Sequence, residues 1–411
     1  MTIENSLMPS YMRKFECIGG ACEDTCCSGW SITLDKKSYK SYKKTKSKDL
    51  KSRMQGKIEK TPEFLHSDRS YAYFKMDENE RCPMITTGGL CSIQLELGEQ
   101  ALSPTCSTYP RKINRINEQL EMSASLSCPE VARLALLNEN GIEFDEVEFD
   151  MSSNWAISQQ MNTHDTLTNQ HLFWPIRMFS IEIVQNRRVE LPDRLVALGL
   201  FIARIQQELA AGNVHDIEHI IHEYRMKMNN TQYLEAIHNI DVSIELQVKV
   251  LLGILQNRFN YGTVGKRYEQ VLSELKEGYA IDEIGNEISE VVEVYKHNYL
   301  NYYYPFINEH EYILENYVVN AIFKNVFPSD MNQVFQEYTT LMVNYAMIKV
   351  HLVGVAGYNK RLDYEIIIKT IQALVKTTEH HSHYLEGVLT MLDANKFNTM
   401  AHISTLIKDM K

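Results

Sequence analysis

No cysteine follows Cys128 in this 411-residue chain, so the last two thirds can hold neither a disulfide nor a thiolate-bound metal of its own. Long apolar runs are missing too. The longest, residues 195–203, lies between Arg194 and Arg204 and falls far short of the roughly 20 residues that cross a bilayer, so no membrane span is expected. Met12-Arg13-Lys14 is not followed by the apolar core of a signal peptide, and a cytoplasmic location is the expectation. Positive charge is in deficit, with 42 Lys and Arg against 53 Asp and Glu and a formal net charge of −11. Nucleic-acid binding needs cationic surface to displace counterions and is not expected as a general property. No repeat of fixed period is visible.

What is present belongs to a folded protein: 44% hydrophobic and 23% charged residues are too apolar a mixture for disorder, and the length predicts two or three domains. Lysine is concentrated locally, at Lys36, Lys37, Lys40, Lys43, Lys44, Lys46, Lys48, Lys51, Lys57 and Lys60, with Arg53 among them. Such runs are usually solvated faces; docking of an acidic protein or a nucleotide is the sharper reading.

Beyond residue 150 the apolar positions recur every three or four residues, as in Ile176, Phe179, Ile183 and Leu195, Leu198, Phe201, Ile202, Ile205, which predicts helices with one buried stripe. Leu191-Pro192-Asp193 reads as a helix start and Ala211-Gly212-Asn213 as its end, while Phe327-Pro328-Ser329-Asp330 reads as a stop and a new cap. The acidic segment 143–150 after Asn-Glu-Asn-Gly fits a connector or a short exposed strand, and the domain boundary is placed there. The expected fold is therefore mainly α: a small irregular cysteine-rich, metal-binding domain over 1–140, then a larger all-helical domain over 150–411.

The eight cysteines fall in four groups: Cys17, Cys22, Cys26 and Cys27; Cys82 and Cys91; Cys106; and Cys128. Thiolates are soft ligands for zinc or iron–sulfur centres, and Pro83, Pro110, Pro129 and the Gly19-Gly20 and Gly88-Gly89 pairs are suited to shaping ligand loops. A disulfide framework is disfavoured in a reducing compartment, and buried free thiols explain one or two cysteines rather than eight. The long gaps are more natural for a cluster assembled from several loops than for paired zinc knuckles, though spacing leaves the metal open. The C-x3-C-x2-C radical signature is not met. Adjacent side chains diverge unless the backbone kinks, so Cys26 and Cys27 are not expected to serve the same iron.

The array Phe15-Glu16-Cys17-x4-Cys22-x3-Cys26-Cys27-Ser28-Gly29-Trp30, with Cys82-Pro83, Gly89-Leu90-Cys91 and Ser103-Pro104-Thr105-Cys106-Ser107-Thr108-Tyr109-Pro110-Arg111, resembles the flagellin lysine N-methylase family. Its first part is similar to the CxxCxxCC group of zinc- or iron-chelating proteins. The likeness continues through Gln185-Asn186-Arg187, Arg194-Leu195-x3-Gly199, Glu315-Asn316-Tyr317-x2-Asn320-x6-Phe327-Pro328 and Ile348-Lys349-x-His351. The resemblance implies methyl transfer from S-adenosylmethionine to lysine ε-amines of flagellin, with a [4Fe-4S] cluster held by the cysteines. No strand leads into a G-x-G turn opening a helix, and Gly354-Val355-Ala356-Gly357 sits in a helical context, so the donor site is not expected to be a Rossmann domain.

Lysine methylation needs the neutral amine, which a desolvated aromatic pocket with a carboxylate or tyrosine would favour. Residues 301–306, Asn-Tyr-Tyr-Tyr-Pro-Phe, and Glu315-Asn316-Tyr317 offer such groups, with core packing as their ordinary role. Glu379-His380-His381-Ser382-His383 offers further ligands or a polar cap, Trp30 a lid over a metal core, and Arg13 and Arg111 carboxylate binding or surface ion pairs. The metal ligands are sought among Cys17, Cys22, Cys26, Cys27, Cys82, Cys91, Cys106 and Cys128; no residue is assigned as catalytic or donor-binding. The rival reading is a non-catalytic zinc- or iron-binding interaction module, and a third is an electron-transfer oxidoreductase.

Overall fold

The computed structural model describes residues 2–152, 154–258, 265–281, 287–379 and 382–410. The chain is mainly helical, as its periodicity predicts, but the first third is less irregular than expected. Two small sheets organise it. Strands β1 (Thr2–Pro9), β5 (Arg111–Ile116), β6 (Gln119–Ala124), β7 (Phe144–Met151) and β8 (Ile157–Met161) form one sheet in the order β7-β1-β6-β5-β8, with β1/β6 and β5/β8 parallel. Strands β2 (Thr33–Leu34), β3 (Ile58–Lys60) and β4 (Ala72–Phe74) form the other, in the order β2-β4-β3. The acidic segment after residue 143 is thus β7, an edge strand paired antiparallel with β1 along its whole length.

Two hydrophobic cores follow. A small one joins Leu34, Leu50, Phe74, Met84 and Ile93, and the larger one takes in β1, β5 and β6 together with the helices as far as Ile407. The lysine-rich stretch forms the helices Lys36–Lys43 and Lys48–Met54 over the small core, burying Tyr42, Leu50 and Met54 and leaving most of its lysines in water. The helix Leu191–Ala211 begins with Pro192 in its first turn and ends on Gly212, whose φ of +78° caps it in the left-handed conformation.

Helix Val334–Asn359 is long and apolar enough to cross a membrane, yet 89% of its apolar window is buried by its neighbours. Its Gly354 and Gly357, which sit in a helix rather than in a G-x-G turn, are packing residues. A Cβ on Gly278 would overlap the Gly354 carbonyl, so only glycine lets helix Lys266–Gly278 cross this closely, and one on Gly357 would overlap the Asn298 amide at the end of helix Ile288–Asn298.

Most of the helical residues that carry the family likeness are ties between segments. Gln185 Nε2 donates to Ile142 O at 2.9 Å, Asn316 Nδ2 to Asn138 O at 2.9 Å, and Lys349 Nζ to Lys408 O at 2.8 Å. Arg194 and Arg187 both grip the buried Glu315, at 2.6 and 2.8 Å. His351 Nε2 meets the Tyr268 hydroxyl at 2.9 Å, and burial pushes its pKa down from 6.5 to about 4. Between those two values the unfolded chain binds a proton that the folded chain refuses. This site therefore removes roughly 3 kcal/mol of stability as pH falls from about 6.5 to about 4. Unfolding midpoints followed over that range should fall less steeply in His351→Gln than in the parent; equal slopes would show that the imidazole is not held neutral.

Candidate metal centre and cleft

Four separate segments deliver the cysteines to one place. Residues 22–28 turn back on the loop 77–85 through Gly29 N to Glu80 O, at 3.0 Å, and Cys82 N to Cys27 O, at 2.8 Å. Cys91 precedes the helix Ser92–Leu97, Cys106 lies within Pro104–Thr108, and Cys128 precedes Pro129–Leu136. The unpaired backbone N–H groups of the first turns face the sulfurs of Cys91, from Ile93 and Gln94, and of Cys128, from Glu130 and Val131, and outside a helix Cys82 receives that of Met84. The glycine pairs meet, as a ligand loop requires: a Cβ on Gly20 would lie 2.8 Å from Gly88 O, and Gly19 and Gly89 both take positive φ.

Seven of the eight thiols sense one another electrostatically, with Cys26 the common neighbour of Cys22, Cys27, Cys82, Cys91, Cys106 and Cys128. Burial, then mutual repulsion, pushes Cys82, Cys106 and Cys128 up to about 12. The adjacent pair has the kink that sequence left open: a turn at 26–27 brings the two sulfurs to 3.9 Å. Cys27 keeps its proton, directed at Cys26 and further held by burial. Cys26 is pulled down to about 7, first by that hydrogen bond and then, against burial, by the Lys376 ammonium. Cys17 is exposed and lies at the edge of the same cleft.

The cleft encloses about 850 Å3. Its walls include the loop around Asp24, the turn 77–81, the Tyr109–Arg111 segment and the start of helix Lys266–Gly278. Trp30 donates to Cys26 O at 2.8 Å and stacks on Tyr109, ring centres 5.7 Å apart, so it braces the cysteine loop from the side of the small core. Arg111 lies against the rings of Trp155 and Phe15 at 4.8 and 5.4 Å and reaches the cleft. Arg13 is spent at the surface on Asp145, at 2.8 Å.

The helix Tyr364–Glu379 supplies residues that sequence reasoning passed over. Lys376 Nζ donates to Asp24 Oδ2 at 2.8 Å and Thr25 O at 3.0 Å, and Gln372 Nε2 to Asp24 Oδ2 and Ser127 O, both at 2.8 Å. A single lysine on an amphipathic helix gives no local signal of a partner some 350 positions earlier. His380 and His381, with the side chains of Ser382 and His383, lie outside the described residues. Of the aromatic segment 301–306, Tyr303 packs into a core stack with Tyr299, and Tyr304 is a surface residue.

The family described as FliB lysine N-methylase C-terminal domain matches residues 177–406, more than half of the chain. The chain is 23% identical over 389 residues to the lysine-N-methylase of Salmonella typhimurium, covering 91% of this chain and 92% of that protein. It is 34% identical over 140 residues to the flagellar biosynthetic protein FliU of Salmonella muenchen, covering 34% of this chain and 80% of that one. No solved structure matches. With its helical part matched to the family and 91% of its length aligned to a curated methylase, the chain belongs to the FliB lysine N-methylase family.

Proposed function

We propose that this chain is a cytoplasmic protein-lysine N-methyltransferase that carries methyl groups from S-adenosylmethionine to lysine ε-amines of flagellin, and that its gathered cysteines hold a [4Fe-4S] cluster. The observation that carries the reading is the convergence of seven thiols, five of them on the wall of an 850 Å3 cleft, in a member of a lysine methylase family. The flagellar substrate is supported by the name of the FliU relative.

The donor set fits such a centre. Burial forces these packed thiols to keep their protons, and a cation among them would favour the thiolates that bind it. Four thiolates on one zinc ion would stand about 3.8 Å apart, from Zn–S bonds of about 2.3 Å. Among the described residues the Cys26 and Cys27 sulfurs, 3.9 Å apart, meet that spacing, and no three cysteine sulfurs lie within 4.8 Å of one another. When bound, the cluster would supply a polarising positive centre able to take the donor's amino and carboxylate groups.

The transfer itself is a displacement. The neutral amine of lysine forms a bond to the methyl carbon, the carbon–sulfur bond breaks, its electron pair stays on sulfur as S-adenosylhomocysteine, and the new methylammonium loses a proton before a second round. The chain's task is to orient the two reactants and exclude water. Asp24, Glu80 and Glu269 at the cleft offer negative charge to the sulfonium, and Lys376 keeps the loop bearing Asp24 in place.

Chain stripped of metal under reducing conditions and rebuilt either with iron and sulfide or with zinc separates this reading from the interaction module. Radiolabel from methyl-labelled S-adenosylmethionine should enter flagellin only with the iron-rebuilt protein. Equal labelling with zinc would replace the cluster by a structural zinc site, and no labelling with either, at full metal content, would favour the non-catalytic module.

A further inference from the structure

Several charged groups on the walls of the cysteine cleft already have partners. Lys376 is held by Asp24 and Thr25, Lys266 Nζ donates to Asn79 Oδ1 at 2.6 Å, and Glu23 pairs with Arg133 at 2.5 Å. Asp77 accepts from Asn79 N at 2.8 Å and from Arg81 N at 2.9 Å. The Arg81 side chain is exposed to water.

Arg111 stands apart from these. It opens β5, where pairing with Ala124 of β6 fixes its backbone, and its guanidinium lies over two rings, Trp155 at 4.8 Å and Phe15 at 5.4 Å. Phe15 is buried and Trp155 stacks on Phe149, ring centres 6.0 Å apart, so both rings are anchored and limit where the guanidinium can go. The residue is half-buried, and burial works against its charge; the pull of Glu99, then of Cys17, opposes that loss. Yet among the described residues no carboxylate pairs with it, and none of its N–H groups finds an acceptor. A guanidinium held in one place at the border of a cleft, with its donors open, is a fork matched to a carboxylate.

We propose that Arg111 is a donor-binding residue, its guanidinium gripping the carboxylate of S-adenosylmethionine inside the cysteine cleft. The inference rests on the methyltransferase reading and adds the residue that recognises one end of the donor. The donor carries one carboxylate beside two cationic centres, its ammonium and its sulfonium. The cleft has the complementary groups, with Arg111 for the carboxylate and the exposed Glu78 and Glu269 for the cations. Five of the gathered thiols line the same space, whose volume of about 850 Å3 lies within the range of ligand cavities, about 300–1,000 Å3. A carboxylate has acceptor sites enough for a guanidinium and a metal together, so the assignment is compatible with a cluster that also takes the donor. A carboxylate of flagellin would satisfy the same fork, and binding of the donor's product alone separates the two.

The test uses the full-length, metal-replete protein under anaerobic conditions, with binding followed by calorimetry. The probes are S-adenosylhomocysteine, which keeps the carboxylate, and its decarboxylated analogue, which keeps the adenosine, thioether and amine. Arg111→Gln should weaken S-adenosylhomocysteine about thirtyfold, the worth of hydrogen bonds to a charged group, and leave the analogue bound as before. Arg111→Lys, which keeps the charge and loses the fork, should fall between parent and Arg111→Gln. Arg267→Gln removes another arginine of the cleft wall and should weaken S-adenosylhomocysteine less than Arg111→Gln does. Iron counts and unfolding midpoints check that the variants fold, and Arg111→Lys carries the comparison if Arg111→Gln does not. Equal loss of both probes in Arg111→Gln, or an equal loss in Arg267→Gln, would make the effect one of packing or of overall charge and overturn the assignment. Unchanged S-adenosylhomocysteine binding with weaker apparent affinity for flagellin in the methylation assay would move the carboxylate to flagellin and leave the methyltransferase reading intact. A parent that binds neither probe would remove both the assignment and the donor on which that reading depends.

Discussion

Serine at Cys26 is expected to reduce bound iron to background and to abolish methylation, while serine at Cys17 leaves most of both. Cys26 is the thiol that all the other gathered cysteines sense, and Lys376 and Cys27 both favour its thiolate, the form that binds metal. A serine hydroxyl at that position would not ionise, and the remaining sulfurs would face a ligand gap at the middle of the set. Cys17 is exposed at the cleft edge and stands outside that mutual contact. Iron and sulfide counts with the visible absorption of anaerobically purified variants give the comparison. Full iron content in Cys26→Ser would remove that residue from the ligand set, and loss of the centre in Cys17→Ser would place the metal at the mouth of the cleft.

The second large effect concerns stability. Arg177 and Glu121 form a two-pronged pair, 2.6 and 3.0 Å, with side chains 1% and 0% exposed, and Arg177 also donates to Phe323 O at 3.0 Å. The pair joins β6 to helix Phe173–Val184 and to the end of helix Tyr312–Lys324. Burial raises the Glu121 carboxyl above its ordinary range even against the pull of Arg177, so the intact pair is not a large net source of stability. Breaking it is another matter, because Glu121→Gln leaves a guanidinium buried with no counter-charge. The expected loss is about 3–5 kcal/mol in denaturant unfolding, with the double replacement by apolar residues of similar volume recovering much of it. A loss below about 1 kcal/mol in the single variant would show that water reaches the site.

Much of this was legible in the sequence, for physical reasons that differ by element. Helices such as Leu191–Ala211 declare themselves by period and by Pro192 and Gly212 at their ends. The cysteines declare a common site because few other roles account for so many thiols in a third of a chain. The five-stranded sheet was hidden: β1 pairs with β6 and β7, more than 100 residues away, and only the acidic alternation of β7 hinted at a strand. Hidden too were the roles of the residues carrying the family likeness. Glu315 and Asn316 look like active-site polar groups but are consumed by Arg194, Arg187 and the chain at 136–138, which leaves Tyr317, one position on, as the member of that run bordering a cavity. Lys376 and Gln372 could not be distinguished from surface residues until helix Tyr364–Glu379 was seen against the cysteine loop.

The most direct measurement is the intact mass of flagellin from the same cell after anaerobic incubation with the purified, metal-replete chain and S-adenosylmethionine. The account predicts additions in whole methyl increments, located on lysines by fragmentation and absent when the metal centre has been removed. Flagellin of unchanged mass, recovered alongside protein with an intact centre and bound donor, would contradict it.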